Sequence, residues 1–229
     1  MPKRKFHTLT AEDALYFNKK RKSEPEPEYE PEEEMFSGVL DMMVGSGDSV
    51  QIRDNHIYFY GKVNNHNCLQ LNMALESISK KLTEARMNLN VENLKIYLHI
   101  NSFGGSVFAS LATIDSIRNC KYPVVSIIEG AAASAATLIS VVCHERIIRK
   151  NAYMLIHQMS SGFWGKMEEI KDEIINLKKL SKNLKKIYKH HTKLDNKTSD
   201  IKLNQILKRD IWWDAEECLK YGLVDEIES

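Results

Sequence analysis

One serine lies where the sequence changes from strand-forming to helix-forming residues. Residues 124–128 are mostly apolar and β-branched, and they are bounded by Pro123 and Gly130, which is typical of a short buried strand. Alanines flank Ser134 on both sides, and alanine favours a helix. The pattern predicts a strand-to-helix junction close to Ser134, where a hydroxyl can reach solvent and neighbouring N–H groups can face a bound carbonyl. The alternative is a tightly packed helix start without a catalytic role.

A pair of glycines follows a second predicted strand. Residues 94–100 are apolar and rich in β-formers, and they lead into Asn101-Ser-Phe-Gly-Gly105 ahead of a helical pattern over residues 107–117. Paired glycines after a strand permit a positive φ or the close approach of another group. The N–H groups of Gly104 and Gly105 therefore predict an anion or oxyanion site, with an ordinary turn as the alternative.

A histidine ends a third predicted strand, and acidic residues follow further along the chain. His157 comes after the largely apolar residues 153–156. The pKa of an imidazole lies near operating pH, so His157 is a candidate general base, with a structural histidine bonded to a backbone carbonyl as the alternative. Asp210 or Asp214 could orient a histidine, although Asp214 and Glu217 have the spacing of a helix-capping box.

In this order, these segments resemble the Clp protease proteolytic subunit family of serine peptidases. The resemblance extends from about residue 55 to the C-terminus. It rests on five motifs: Asn101-Ser-Phe-Gly-Gly105, Gly130-Ala-Ala-Ala-Ser134, Ile156-His-Gln158, Arg209-Asp210 and Ala215-Glu-Glu-Cys-Leu-Lys-Tyr-Gly-Leu-Val-Asp225. It implies that Ser134 is the nucleophile, His157 the base and Asp210 the residue that orients the base.

The resemblance also implies how the site would hold a substrate. The backbone N–H groups of Gly105 and Ala135 match the oxyanion hole, and Phe103 and Gly104 match substrate-binding positions. Two residues depart from the family pattern, since Phe103 and Met159 stand where the family usually has proline. Proline restricts φ and lacks an N–H donor, so both loops are expected to differ in stiffness.

The remaining sequence alternates strand and helix patterns, which predicts an α/β fold with a mainly parallel, crossover-connected sheet. By resemblance, this is the Clp-peptidase/crotonase fold of repeated ββα-type units with a protruding long handle helix at about residues 166–191. The family uses that helix to join two seven-membered rings of one subunit face to face, which encloses the serines in a chamber. A ring-shaped ATP-driven unfoldase would then deliver unfolded polypeptides. Tyr58 and Tyr60 are candidates for its docking pocket, with core packing as the alternative.

Composition excludes several classes of function. A net charge of +1 gives no reason to expect a nucleic-acid partner, and no apolar run reaches the length of a membrane span. Four cysteines without regular spacing are expected to be reduced, as in the cytoplasm. No motif predicts a metal or a cofactor, and the phosphate-binding loop of an ATPase is absent from the sequence.

Three regions are expected along the chain. Residues 1–35 form a charged tail that lacks the apolar content for a core and is predicted to be disordered, apart from a brief helix at 11–17. Its two basic runs also fit a nuclear signal, although such runs are common. Residues 36–54 are a possible axial loop, and residues 55–229 are the peptidase domain.

Two alternatives to an active peptidase stay open. The first is a non-catalytic ring subunit or regulator of a related Clp protease, which only Phe103 and Met159 favour. The second is an acyl-CoA enzyme of the crotonase type, which shares the general fold and an oxyanion hole. A serine–histidine–aspartate set would be superfluous in a crotonase.

Overall fold

The computed structural model describes residues 49–89, 92–195 and 199–228. In that part of the chain, the strands are β1 (Val50–Arg53), β2 (His56–Tyr60), β3 (Ile96–Ser102), β4 (Val124–Ala133), β5 (Glu145–Arg149), β6 (Tyr153–Leu155) and β7 (Glu226–Glu228). The helices are α1 (Asn65–Leu89), α2 (Val107–Arg118), α3 (Ala135–Val141), α4 (Met167–His191), α5 (Ser199–Leu207) and α6 (Ala215–Tyr221). A 3₁₀ turn covers Lys193–Asp195. The predicted tail, its brief helix and most of the possible axial loop lie outside the described residues.

The strands form one sheet in the order β1-β2-β3-β4-β5-β7, and β6 pairs with the far end of β4. All neighbouring pairs are parallel except β1 and β2, which are antiparallel. Parallel neighbours need crossover connections, and the helices between the strands supply them. The predicted α/β class with a mainly parallel sheet is confirmed.

Side chains of the central strands alternate between two faces. On β3, Ile96, Leu98 and Ile100 are at most 1% exposed and belong to the hydrophobic core. Because successive strand residues point to opposite faces, Tyr97 and His99 lie on the other face of the sheet. The sequence pattern of apolar residues thus determines which face the helices cover.

The tyrosines of β2 lie on this second face. Ile57 and Phe59 are the core residues of β2, whereas Tyr60 is 41% exposed and donates a hydrogen bond to Glu129. Tyr58 is half-buried and stacks on His99, with 4.4 Å between the ring centroids. The core-packing interpretation is therefore wrong for Tyr60.

The long helix expected at about 166–191 is present as α4. Only Leu184 and Tyr188 are buried along its 25 residues, and both lie in its last two turns. Ile174 and Ile175 are 45% and 49% exposed. Against the described residues, α4 is therefore buried only at its C-terminal end, and its first half is exposed or half-buried.

Two local predictions differ from the structure. The alanines before Ser134 extend β4 instead of starting a helix, because residues 131–133 pair with β6; tertiary pairing here overrides helix propensity. The alternating strand and helix patterns also indicate a strand near residue 208, but this segment contributes only an isolated bridge between Met154 and Trp213. Residues 199–207 form α5, for which no sequence pattern was identified. β6 has only three residues, and its other edge already pairs with β4.

Candidate active site

Ser134 occupies the single residue between β4 and α3. Its φ of 52° and ψ of −122° are unusual for a residue with a side chain and store local strain. The Ser134 N–H donates to the Leu155 carbonyl across 2.9 Å, and its side chain makes no capping bond to α3. The predicted junction is confirmed, and the hydroxyl is not consumed by the helix that it precedes.

His157 lies beside Ser134 because their strands are neighbours. The register of β4 and β6 pairs Ala133 with Leu155, so both side chains follow the carboxyl ends of adjacent parallel strands. His157 Nδ1 is 3.0 Å from Asp210 Oδ1. If the carboxylate accepts the Nδ1 proton, Nε2 is left as an acceptor. Among the described residues, the Ser134 hydroxyl makes no hydrogen bond to His157; in proteins without substrate such bonds are commonly long.

Asp210 reaches His157 from the segment that follows α5. The Gln158 N–H donates to the Leu207 carbonyl across 2.7 Å, which fixes the loop after His157 to the end of that helix. The Asp210 side chain is 76% exposed, against 23% for His157. Asp214, the other candidate, accepts from the Glu217 N–H at 2.8 Å and caps α6, as its spacing predicts.

Gly104 lies directly against the Ser134 turn. Its φ of 95° is a conformation that side chains disfavour. A Cβ atom at Gly104 would lie 2.6 Å from the Ala133 carbonyl oxygen, 2.8 Å from the Ser134 Cβ and 3.1 Å from the Ala135 nitrogen. Only glycine therefore fits here, and the close approach that the sequence predicts is confirmed as a close approach to the Ser134 turn.

Gly105 is held by a connection outside the predicted motifs. Val63 donates its N–H to the Gly104 carbonyl at 2.8 Å and accepts from the Ser106 N–H at 2.7 Å. The Gly105 N–H has no acceptor among the described residues. Ala135 is the first residue of α3, so its N–H has no partner within the helix. Two N–H groups without helical or sheet partners thus lie on the two segments that meet at the Ser134 turn, which are the Gly104–Gly105 loop and the start of α3.

The site includes an aromatic contact that the sequence does not indicate. Phe103 packs edge-on against Trp212, with ring centroids 5.9 Å apart. Phe103 and Trp212 are 50% and 39% exposed, and in the chain they neighbour Gly104 and stand two residues from Asp210. Phe103 stands where the family usually has proline, and its contact supplies a restraint other than a proline ring. No sequence spacing could have paired it with a residue more than a hundred positions away.

A second unpredicted contact supports the nucleophile turn from behind. The Thr137 hydroxyl donates to the Ser134 carbonyl across 2.6 Å, and the Tyr188 hydroxyl lies 2.6 Å from the same Thr137 oxygen. Burial raises the pKa of the Tyr188 phenol well above its usual value, so that hydroxyl stays protonated. Because Thr137 has one proton, Tyr188 donates to it. The anchored end of α4 therefore contacts the Ser134 turn through a chain of hydrogen bonds.

The described residues bring no group of three or more His, Cys, Asp or Glu side chains together as metal ligands. None of the helices named above combines the length and hydropathy of a membrane span. What the site offers is a strained serine, an imidazole paired with a carboxylate, and backbone donors at a glycine loop. Such a set suits acyl transfer through a serine.

Comparisons with known proteins agree with this chemistry. The ATP-dependent Clp protease proteolytic subunit of Streptococcus mutans is 42% identical over 135 residues, which are 58% of this chain and 67% of that protein. Its counterpart in Deinococcus radiodurans is 35% identical over 135 residues, 58% of this chain and 64% of that protein. Subunit 2 of Treponema denticola is 36% identical over 158 residues, covering 66% and 77% of the two chains. The family model described as Clp protease matches residues 53–229, most of the chain. This chain belongs to the Clp protease family.

Proposed function

We propose that this chain is the proteolytic subunit of an ATP-dependent Clp-type protease, a serine endopeptidase that cleaves unfolded proteins and peptides. The observation that carries the proposal is the position of Ser134, in a strained turn between the His157–Asp210 pair and the Gly104–Gly105 loop. The family match and the relatives' names support the same class of enzyme.

Each group then has one chemical task. His157 Nε2 takes the proton from the Ser134 hydroxyl as the oxygen attacks the peptide carbonyl, because a serine alcohol is a poor nucleophile without a base. Asp210 holds the imidazole in the useful tautomer and stabilises its protonated form. His157 next gives the proton to the leaving amine, which leaves an acyl ester on Ser134. Water then hydrolyses the ester with His157 again acting as the base.

The backbone donors stabilise the negative charge that develops on the carbonyl oxygen. The Gly105 and Ala135 N–H groups are our proposed oxyanion hole, and their lack of helical or sheet partners supports this role. Removing one such donor typically lowers kcat by about 10². Phe103 and Gly104 would border the bound peptide, and the contact of Phe103 with Trp212 supports a wall at that position. The mechanism requires no metal and no cofactor.

The proposal extends to assembly and partners. We expect stacked heptameric rings of this chain, joined through α4, whose exposed Ile174 and Ile175 offer apolar surface to another subunit. A ring-shaped ATP-driven unfoldase is the expected partner, because relatives are named ATP-dependent and this sequence has no phosphate-binding loop. Its docking at Tyr58 and Tyr60 stays a prediction, as does cytoplasmic location, which four free cysteine thiols support.

The test is hydrolysis of a short fluorogenic peptide by the purified full-length protein, compared with Ser134→Ala. Turnover that disappears in this variant, while Ser116→Ala on α2 keeps it, supports Ser134 as the nucleophile. If no variant turns over the peptide but particle sizing still detects rings, the non-catalytic subunit becomes the better interpretation. Retention of acyl-CoA thioesters would instead favour the crotonase alternative.

A further inference from the structure

The contact between Phe103 and Trp212 joins two loops of the candidate active site. Their rings meet edge-on at an interplanar angle of 83°, with 5.9 Å between the centroids, which is a favourable arrangement of an aromatic pair. Phe103 directly precedes the Gly104–Gly105 loop, and Trp212 follows Asp210 by two residues. Both rings lie outside the hydrophobic core and are at least 39% exposed. The contact therefore connects two segments of the site rather than two parts of the core.

The Trp212 side of this contact is fixed to the strand that leads to His157. Trp213, the next residue, donates its N–H to the Met154 carbonyl across 2.8 Å and accepts from the Met154 N–H at 2.9 Å. Trp213 is also buried and stacks on Tyr221, with 4.5 Å between the ring centroids. Met154 belongs to β6, three residues before His157. Trp212 is therefore part of a segment that is held in place.

The Phe103 side leads into a backbone with unusual freedom. Gly104 and Gly105 both have positive φ, and glycine can adopt more backbone conformations than any other residue. Hydrogen bonds with Val63 hold the loop after Phe103, and the Phe103 ring adds a contact before it. A Cβ atom at Gly104 would lie only 2.8 Å from the Ser134 Cβ, so a small shift of the loop changes its fit against the nucleophile.

A proline would fit the backbone at Phe103. The φ of Phe103 is negative, as a proline ring requires, and its N–H donates no hydrogen bond to any described residue. Ser102, the residue before it, is the last residue of β3, and extended backbone is what a residue before proline prefers. A proline ring would restrict this turn by itself, without Trp212. The aromatic contact and a proline are thus two ways to restrict the same loop.

Building on the function proposed above, we propose that Phe103 and Trp212 are positioning residues for the acyl transfer at Ser134. Their contact holds the Gly104–Gly105 loop, with its oxyanion donor, against the Ser134 turn. Without the contact, the loop samples conformations in which the donor no longer faces the developing negative charge. The loss should appear in kcat, because that charge develops only in the transition state. Loss of a simple substrate contact would raise KM instead.

Peptide hydrolysis by the purified full-length protein tests the contact in a double-mutant cycle, between preparations of equal particle size. Phe103→Ala and Trp212→Ala should each lower kcat about fivefold, the weight of one aromatic contact. Phe103→Ala/Trp212→Ala should be no slower, because all three variants lack the same contact. Trp212→Phe keeps a ring and should recover most of kcat. Met87→Ala removes another exposed apolar side chain, at the end of α1, and should keep kcat.

Two results of this cycle would overturn the proposal. One is a pair of losses that multiply in the double variant, because independent residues behave in that way. The other is a change confined to KM, which would make the rings part of a substrate wall only.

Replacement by proline tests the restraint itself. Phe103→Pro should keep kcat close to that of the unchanged protein, because the proline ring restricts the loop directly. Trp212→Ala added to Phe103→Pro should then have almost no further effect on kcat. A loss in Phe103→Pro as large as in Phe103→Ala contradicts the role of the contact as a restraint on the loop.

Hydrogen exchange separates this inference from the proposed function, because it is measured on Ser134→Ala without turnover. The Val63 N–H donates to the Gly104 carbonyl and the Ser106 N–H to the Val63 carbonyl, so both amides report on the loop. Both should exchange about fivefold faster in Ser134→Ala/Trp212→Ala, and adding Phe103→Pro should reverse the change. If exchange responds in this way but the unchanged protein hydrolyses no peptide, the contact stands and the peptidase fails. Normal hydrolysis with no response of kcat or exchange refutes the inference and leaves the peptidase intact.

Discussion

The buried hydrogen bonds between Tyr188, Thr137 and Ser134 give the sharpest energetic prediction. Tyr188 is 4% exposed and Thr137 is fully buried, so water cannot replace a lost partner at either hydroxyl. The Tyr188 hydroxyl donates to Thr137 Oγ1, and Thr137 donates to the Ser134 carbonyl, each across 2.6 Å. The loss of free energy of unfolding should therefore differ between removal of the Tyr188 hydroxyl and removal of the Thr137 hydroxyl.

Three variants form a double-mutant cycle. Tyr188→Phe removes one buried hydrogen bond and should lower the free energy of unfolding by about 1 kcal/mol. Thr137→Val should lower the free energy of unfolding by about 2–3 kcal/mol, because it leaves the buried Tyr188 hydroxyl without a hydrogen-bond partner and removes one donor to the Ser134 carbonyl. The double variant Thr137→Val/Tyr188→Phe contains neither hydroxyl, so no buried hydroxyl is left without a partner. The double variant should therefore cost less than the two single variants together, by about 1–2 kcal/mol.

Urea unfolding at one fixed protein concentration measures the cycle, because subunit assembly shifts apparent stability. Thr137→Ser keeps the hydroxyl and is the control for the hydrogen bonds. Peptide hydrolysis is followed in parallel, since loss of the bond to the Ser134 carbonyl should lower kcat in both valine variants. Costs that add to within about 0.3 kcal/mol would refute the reasoning, because independent sites behave in that way.

Two further predictions concern other parts of the molecule. Gly104→Ala should lower the rate of peptide hydrolysis by about 10² or more, because its Cβ would lie 2.6 Å from the Ala133 carbonyl oxygen and displace the Gly104–Gly105 loop. Gly162→Ala is the control and should keep full activity, because there is open space around Gly162. Burial, together with Arg118, neighbouring His190 and Arg146, lowers the pKa of His191 to about 4, so the folded state resists its protonation. The free energy of unfolding should fall by about 1 kcal/mol, after allowing for solvent screening, as the pH drops from about 6.5 to 4. In His191→Asn this part of the pH dependence should disappear, and an unchanged urea titration profile would contradict the assignment.

Much of the candidate site could be predicted from the sequence because its requirements are local. Small residues after a β-branched run place Ser134 at a strand-to-helix junction, and this holds in the structure. Gly104 and Gly105 lie at positive φ, where other residues are strained. The two glycines in the sequence therefore indicate that the backbone approaches another segment closely. The helix cap formed by Asp214 and Glu217 follows from their spacing alone.

Other features depend on residues that only the tertiary structure brings together. Asp210 could be chosen over Asp214 from the sequence only through a family resemblance, and the 3.0 Å approach to His157 arises from the way α5 returns to the end of β6. The contact of Phe103 with Trp212 has no sequence signature. The bond from Tyr188 to Thr137 likewise joins helices that are separate in the chain.

The division has a physical cause. Backbone conformation at a turn is governed by the few residues that form it, so composition and spacing determine the Ser134 junction and the glycine loop. Pairing between distant side chains is decided by how strands and helices pack, which also turned the helix-forming alanines of residues 131–133 into a strand beside β6.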